Sequence, residues 1–363
     1  MNTTTPRVFI AATRQNDGKT TASLGLIAAL QKHFPRIGYI KPVGQRFVQV
    51  EEQKIDEDSV LMDSVYQLNC PLVDMSPIAV EPAFTRKYLQ SANNEALVKK
   101  IQDSFDRVAW EKDFVLCEGS GHAGVGSVFD LSNAQVARLL GCKVIIVSQG
   151  GIGKPIDEVS LNQALFEKEG VEIIGVIINK VHEEKIPEIT RFVRSGLKRK
   201  GLDLLGVLPL EPSLAHPTVD LIREELHAEL LNRPPSLDVV VEDVVVGAMG
   251  VQNAMQFFKR GVLLITPGDR EDILLAAGAT TDLGDEKMAG IVLTGGLRPG
   301  DSVLKALQAL PVPVLLAKAD SYQVASRVHN LTVKTRPTDA RKIALIRDIV
   351  ARHVNVKRII DSL

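Results

Sequence analysis

Arg7-Val8-Phe9-Ile10-Ala11-Ala12-Thr13-Arg14-Gln15-Asn16-Asp17-Gly18-Lys19-Thr20-Thr21 decides the fold, and its pattern continues through Leu24, Leu26, Ile27 and Leu30 to Phe34. An apolar strand, a six-residue loop and a helix follow one another without a break. Such a loop aims several backbone N–H groups at one point, and the helix start adds partial positive charge, so a polyphosphate fits there. Lys19 would reach the terminal phosphates and Thr20 would offer its hydroxyl to Mg²⁺. Thr13 stands where the usual pattern has a further glycine, and Arg14 lies five residues before Lys19. An ordinary strand-to-helix turn containing Gly-Lys-Thr-Thr is the plainer reading of the same residues.

Working outward, a second strand, Ile37 to Ile40, ends in Lys41-Pro42-Val43, which leaves Lys41 at a carboxyl strand end. Open α/β sheets gather their ligands there. The acidic segment from Glu51 to Asp58 reads as a solvated loop before a helix over Ser59 to Leu68. Asp58 is set apart, because a carboxylate at a helix start could also face a metal. Asp113 to Cys117 is a continuous apolar strand ending at Glu118, followed by the loop Gly119-Ser120-Gly121-His122. A carboxylate at the end of a buried strand beside a phosphate loop is placed to help hold Mg²⁺. The strand from Glu172 to Ile178 leads into Asn179-Lys180, and an Asn amide at such a strand end can read a purine edge. Apolar strands that alternate with helices, and lack period-two alternation, predict a mostly parallel sheet covered on both faces.

From Ser213 the character changes. An amphipathic helix over Val219 to Leu231 leads to a fresh series of strands, including Val239 to Val246, Gly261 to Thr266, Gly290 to Thr294 and Val312 to Leu316. This predicts a second, smaller α/β domain. Asp269 can cap the helix that follows Gly268, and Gly295-Gly296 can turn the chain after a strand. A last helix, Asp339 to His353, carries basic residues that suit a solvated face or a subunit contact.

The totals narrow the function classes. Lys plus Arg number 43 against 44 Asp plus Glu, and aromatic residues make up 4%, so nothing favours nucleic acid or an acidic membrane as partner. Cys70, Cys117 and Cys142 lack metal-ligand spacing and suit a reducing compartment. Met1 to Pro6 lacks the profile of a signal peptide, so a soluble, cytoplasmic protein is expected.

With these motifs in place, the first 210 or so residues resemble the P-loop family of dethiobiotin synthetase, more closely its variant at the amino end of long bacterial phosphate acetyltransferases. The pieces that carry this are Gly18-Lys19-Thr20, Lys41-Pro42-Val43, Asp58-Ser59-Val60-Leu61, Val115 to Gly119 with Gly121, and Asn179. The later part resembles the DRTGG domain through Asp269-Arg270 and Thr294-Gly295-Gly296. The resemblance implies a P-loop α/β domain over 1–213, a DRTGG-like regulatory and dimerising domain over 214–337, and a terminal helix over 338–363. It implies ATP and Mg²⁺ as cofactors. Asn16, Asp17, Gly18, Lys19, Thr20 and Thr21 would surround the nucleotide, with Asn179 on adenine. Thr20, Asp58 and Glu118 would surround Mg²⁺, and Lys41 would face the transferred phosphoryl group.

The expected function is thus a nucleotide-dependent regulator or slow ATPase, assembled as a homodimer or larger homo-oligomer. The sequence ends at Leu363, before any acetyltransferase catalytic domain, so acetyl transfer is not expected. The alternative is an ATP-dependent ligase of the dethiobiotin or cobyrinate-amidating kind, with Lys41, His122, Gln45 and Arg46 lining a pocket for a small carboxylic acid. A third reading, a partner-switching ATPase, leans on Arg14.

Overall fold

The computed structural model describes residues 1–282 and 288–363. The chain divides into two compact units, Met1–Glu211 with Thr335–Leu363, and Pro212–Lys334.

The first unit is built on six strands: β1 (Arg7–Ala12), β2 (Ile37–Ile40), β3 (Phe114–Glu118), β4 (Lys143–Gln149), β5 (Ile173–Val181) and β6 (Leu204–Pro209). They lie in the order β6-β5-β4-β1-β3-β2, and every pair is parallel. The continuous apolar runs follow from this arrangement, since helices cover both faces and leave no strand a wet side. β1 and β3 are neighbours, with Ile10 opposite Glu118. The loops leaving these two strands therefore share one edge of the sheet.

Helix α1 (Lys19–Leu30) is buried along nearly its whole length and has no polar face. A helix apolar all round needs cover on its outer side. The end of the chain supplies it, where Ile346 and Val350 are buried on the helix Ala340–His353. A Cβ on Gly25 would lie 2.3 Å from Val350 Cγ2, so glycine is what lets the two helices approach this closely. Beyond that helix, Asn355 N donates to Leu205 O at 2.8 Å and Arg358 pairs with Asp203 at 2.6 Å. Arg347 stacks its guanidinium 4.8 Å from the centroid of the Tyr66 ring. Part of the basic face expected to meet solvent or another subunit thus meets the first unit itself.

The acidic stretch expected to be a loop is a hairpin. Phe47–Val50 pairs antiparallel with Gln53–Asp56, and Glu51 and Glu52 make its turn. Asp56 then caps helix α2 (Glu57–Tyr66), its side chain accepting from Asp58 N.

The second unit holds β7 (Glu229–Leu230), β8 (Asp243–Val246), β9 (Val262–Pro267), β10 (Gly290–Thr294) and β11 (Val314–Leu316) in the order β7-β11-β10-β9-β8. Only β7 is antiparallel. One face carries Leu264, Leu293, Ile273, Leu274 and Leu307, and the other carries Leu263, Ile265, Val219, Ile222, Val324 and Val328. The helix expected over Val219 to Leu231 stops at Leu226. His227 takes a left-handed conformation at φ 49°, which frees Glu229 and Leu230 to pair with β11.

Candidate nucleotide site

The site lies where the loops after β1 and β3 meet, joined by Ala12 N donating to Gly121 O at 3.3 Å. Gly18 sits at φ 98°, and a Cβ there would come 2.0 Å from Asn179 Nδ2. Both the conformation and the space demand glycine. Among the described residues, the N–H groups of Gln15 to Thr21 donate to no acceptor. Seven backbone donors therefore line one turn of chain that opens into α1, which is the donor set an anion needs. Lys19 is 9% exposed beneath them. Burial pulls its ammonium below its ordinary range, against the opposing pull of Glu118.

Glu118 is fully buried at the end of β3. Thr20 Oγ1 donates to its Oε1 at 3.0 Å and Tyr39 Oη to its Oε2 at 3.2 Å. Burial pushes its carboxyl up, and Asp58 adds to the push. Thr20 and Glu118 together fit the demands of a hard cation, which favours oxygen ligands.

Asp58 and Lys41 come to the same cluster, but they meet each other. Lys41 Nζ bonds Asp58 Oδ2 and lies 3.1 Å from Asp56 Oδ1. Burial alone would lower Lys41, yet Asp58 and Asp56 overcome it and hold the ammonium above its ordinary range. Asp56 is 1% exposed and its Oδ2 has no hydrogen-bond partner. Among the described residues no group of three or more His, Cys, Asp or Glu is arranged to hold a metal ion. Lys41, neutralised twice over, presents no free cation to a carboxylic acid. His122 and Arg46 are exposed, and Gln45 Oε1 accepts from Gln15 Nε2 at 3.1 Å.

Asn179 lies under the phosphate loop. Its Nδ2 donates to Asp17 O at 2.9 Å and its Oδ1 accepts from Lys180 N at 2.9 Å. Lys180 Nζ donates to Asn16 O at 2.7 Å. This strand end braces the phosphate loop. Arg14 pairs with Glu158 of its own chain at 3.2 Å. The sequence reading missed Asp56, although an Asp two residues before Asp58 at a helix start is a capping signal.

In the second unit, Arg270 pairs with Asp272 at 2.9 Å and donates to Met249 O at 3.1 Å. Asp269 is exposed and accepts no hydrogen bond among the described residues, so the cap expected from it is not made. The helix begins at Glu271 after Arg270, one residue too late for an Asp269 cap. Thr294 Oγ1 lies 2.7 Å from Ser321 Oγ, while Gly295 N and Gly296 N donate to Ala319 O and Ala317 O at 2.8 and 2.9 Å. Gly268 N reaches Thr294 O at 3.4 Å, so the two motif loops adjoin at the carboxyl edge of this sheet.

A parallel sheet with a glycine-turned phosphate loop between β1 and α1 defines a P-loop α/β domain. The profile of the AAA_26 family, described as an AAA domain, matches residues 6–218, and that of the DRTGG domain matches residues 221–331. The chain belongs to the AAA_26 family and carries a DRTGG domain after the P-loop domain. It is 27% identical over 358 residues to a phosphate acetyltransferase of Nitratidesulfovibrio vulgaris, covering 96% of this chain and 50% of that protein. A phosphate acetyltransferase of Synechocystis sp. is 27% identical over 350 residues, covering 93% and 49%. The chain thus spans about half the length of the curated relatives it matches. Among solved structures, the Mg-ADP complex of the septum site-determining protein MinD from Pyrococcus horikoshii is 15% identical, covering 58% of this chain and 83% of that one, with a TM-score of 0.36. The CBS and DRTGG domains of Clostridium perfringens pyrophosphatase, complexed with diadenosine tetraphosphate, are 22% identical, covering 36% and 59%, with a TM-score of 0.28. No helix among the described residues is long and apolar enough to cross a membrane.

Proposed function

We propose that the first unit binds an adenine nucleotide with Mg²⁺ and that the DRTGG domain regulates or reports that binding. The observation that carries this reading is the run of unpaired N–H groups from Gln15 to Thr21 above the buried Lys19. The loop donors hold phosphate oxygens, Lys19 neutralises their charge, and Thr20 with Glu118 would hold the cation. A bound Mg²⁺ would supply charge neutralisation between phosphates. Asp58 belongs to the same carboxylate group once Lys41 is left to Asp56.

Turnover on this reading is slow. Glu118, Lys41, Asp56 and Asp58 are engaged with neighbouring side chains, and His122 is exposed with its Nδ1 accepting from Gly124 N at 3.2 Å. The protein then acts as a nucleotide-dependent regulator, and a homodimer is its expected working form. Displacement of a fluorescent adenine nucleotide from the whole chain by ATP, ADP and GTP tests the reading. Competition by ATP and ADP that requires Mg²⁺ supports it, and failure of the fluorescent nucleotide to bind overturns it.

A further inference from the structure

The phosphate loop contains a carboxylate that anion binding does not call for. Asp17 is fully buried, directly before Gly18. Its Oδ2 accepts from Thr13 Oγ1 and from Arg14 N, both at 2.7 Å. Thr13 Oγ1 also lies 3.0 Å from Ser148 Oγ on β4. A carboxylate accepts only and a hydroxyl has one proton, so Thr13 gives its proton to Asp17 and Ser148 donates to Thr13. The backbone carbonyl of Asp17 meanwhile takes the Asn179 amide from β5. Asp17 is therefore the point at which the loop is tied to β4 and, beyond it, β5, and its remaining oxygen, Oδ1, is buried without a partner.

We propose that Asp17 is the positioning residue of the phosphate loop: it closes a side-chain ring through Thr13 and the Arg14 N–H that fixes the loop in its anion-binding shape before any ligand arrives. The inference rests on the nucleotide reading of this site. It also accounts for Thr13, whose hydroxyl holds a loop that a further glycine would leave free. A preset loop spends less binding energy on ordering itself. The carboxylate acts through its geometry, because its negative charge beside a phosphate site opposes the ligand.

Geometry and charge are separated by Asp17→Asn, whose amide oxygen accepts both hydrogen bonds without the charge, and Asp17→Ala, which loses both. The readouts are the exchange rate of the Arg14 amide in the nucleotide-free whole chain and the Kd for ADP with Mg²⁺. Asp17→Ala is expected to speed Arg14 exchange and to weaken ADP at least about tenfold, while Asp17→Asn keeps Arg14 protected and binds ADP within about threefold of wild type or tighter. Thr13→Val should weaken ADP in the wild-type background and have little further effect in Asp17→Ala. Unchanged Arg14 exchange in Asp17→Ala overturns the proposal, as does an equal loss of ADP affinity in the Asn and Ala variants. Faster Arg14 exchange in Asp17→Ala than in wild type, beside a wild type that binds no ADP, would leave the ring standing and overturn the nucleotide reading instead.

Discussion

Thr20 Oγ1 donates to Glu118 Oε1 across 3.0 Å, which joins the first turn of α1 to the end of β3. Burial, with Asp58 next, raises the Glu118 carboxyl above its ordinary value of 4.5. A group with a raised folded value adds stability below its unfolded value and loses it as pH rises through the folded one. Glu118→Gln removes that loss. Its stability relative to wild type should be greatest at neutral pH and should shrink as pH falls toward about 5. Urea unfolding at several pH values checks this, and a difference that grows on acidification would contradict it.

Lys41 is clamped by Asp56 and Asp58, so deleting its charge strands two buried carboxylates. Lys41→Met should destabilise the first unit by about 3–5 kcal/mol. Lys41→Met combined with Asp56→Asn and Asp58→Asn should recover most of the loss, as read by denaturant midpoints.

Gly25 and Val350 test the docking of the chain's end on α1. Gly25→Ala should cost about 1–3 kcal/mol through overpacking, and Val350→Ala a similar amount through a cavity. The double variant should be at least about 1 kcal/mol more stable than the sum of the two, because the small residues now fit each other. Simple additivity would mean that the helices do not meet there.

The parallel sheet of the first unit is legible in the sequence because each strand is an unbroken apolar run, and the loop is legible because Gly18-Lys19-Thr20 falls between strand and helix. What could not be read depends on contacts distant along the chain. The uniformly apolar α1 signals a missing cover without naming the C-terminal helix as its source. The run of acids from Glu51 to Asp58 looks solvated, yet pairing of Gln53–Asp56 with Phe47–Val50 carries Asp56 inside to Lys41. The packing of Asn179 against Gly18, 2.0 Å from where a Cβ would lie, joins residues far apart along the chain. Asp269 satisfies the spacing of a cap, but Arg270 takes Asp272 and the helix starts without it.

Asn232 was silent in the sequence and holds the second unit together. It is 7% exposed, donates to Leu310 O and Val312 O at 3.1 and 2.7 Å, and accepts from Val314 N at 3.0 Å. Asn232→Ala leaves those buried groups unpaired and should cost about 2–4 kcal/mol. Thermal unfolding followed by hydrogen exchange should show the loss concentrated around β11 and the segment leading into it.

The proposed nucleotide site is the loop from Gln15 to Thr21 over Lys19. The most direct measurement is calorimetric titration of the whole chain with ADP and Mg²⁺, beside Lys19→Ala. Saturable binding by the wild type is expected, with a loss of at least about a hundredfold in affinity, about 2.7 kcal/mol, in the variant. Absence of binding in the wild type, or equal binding by Lys19→Ala, would contradict it.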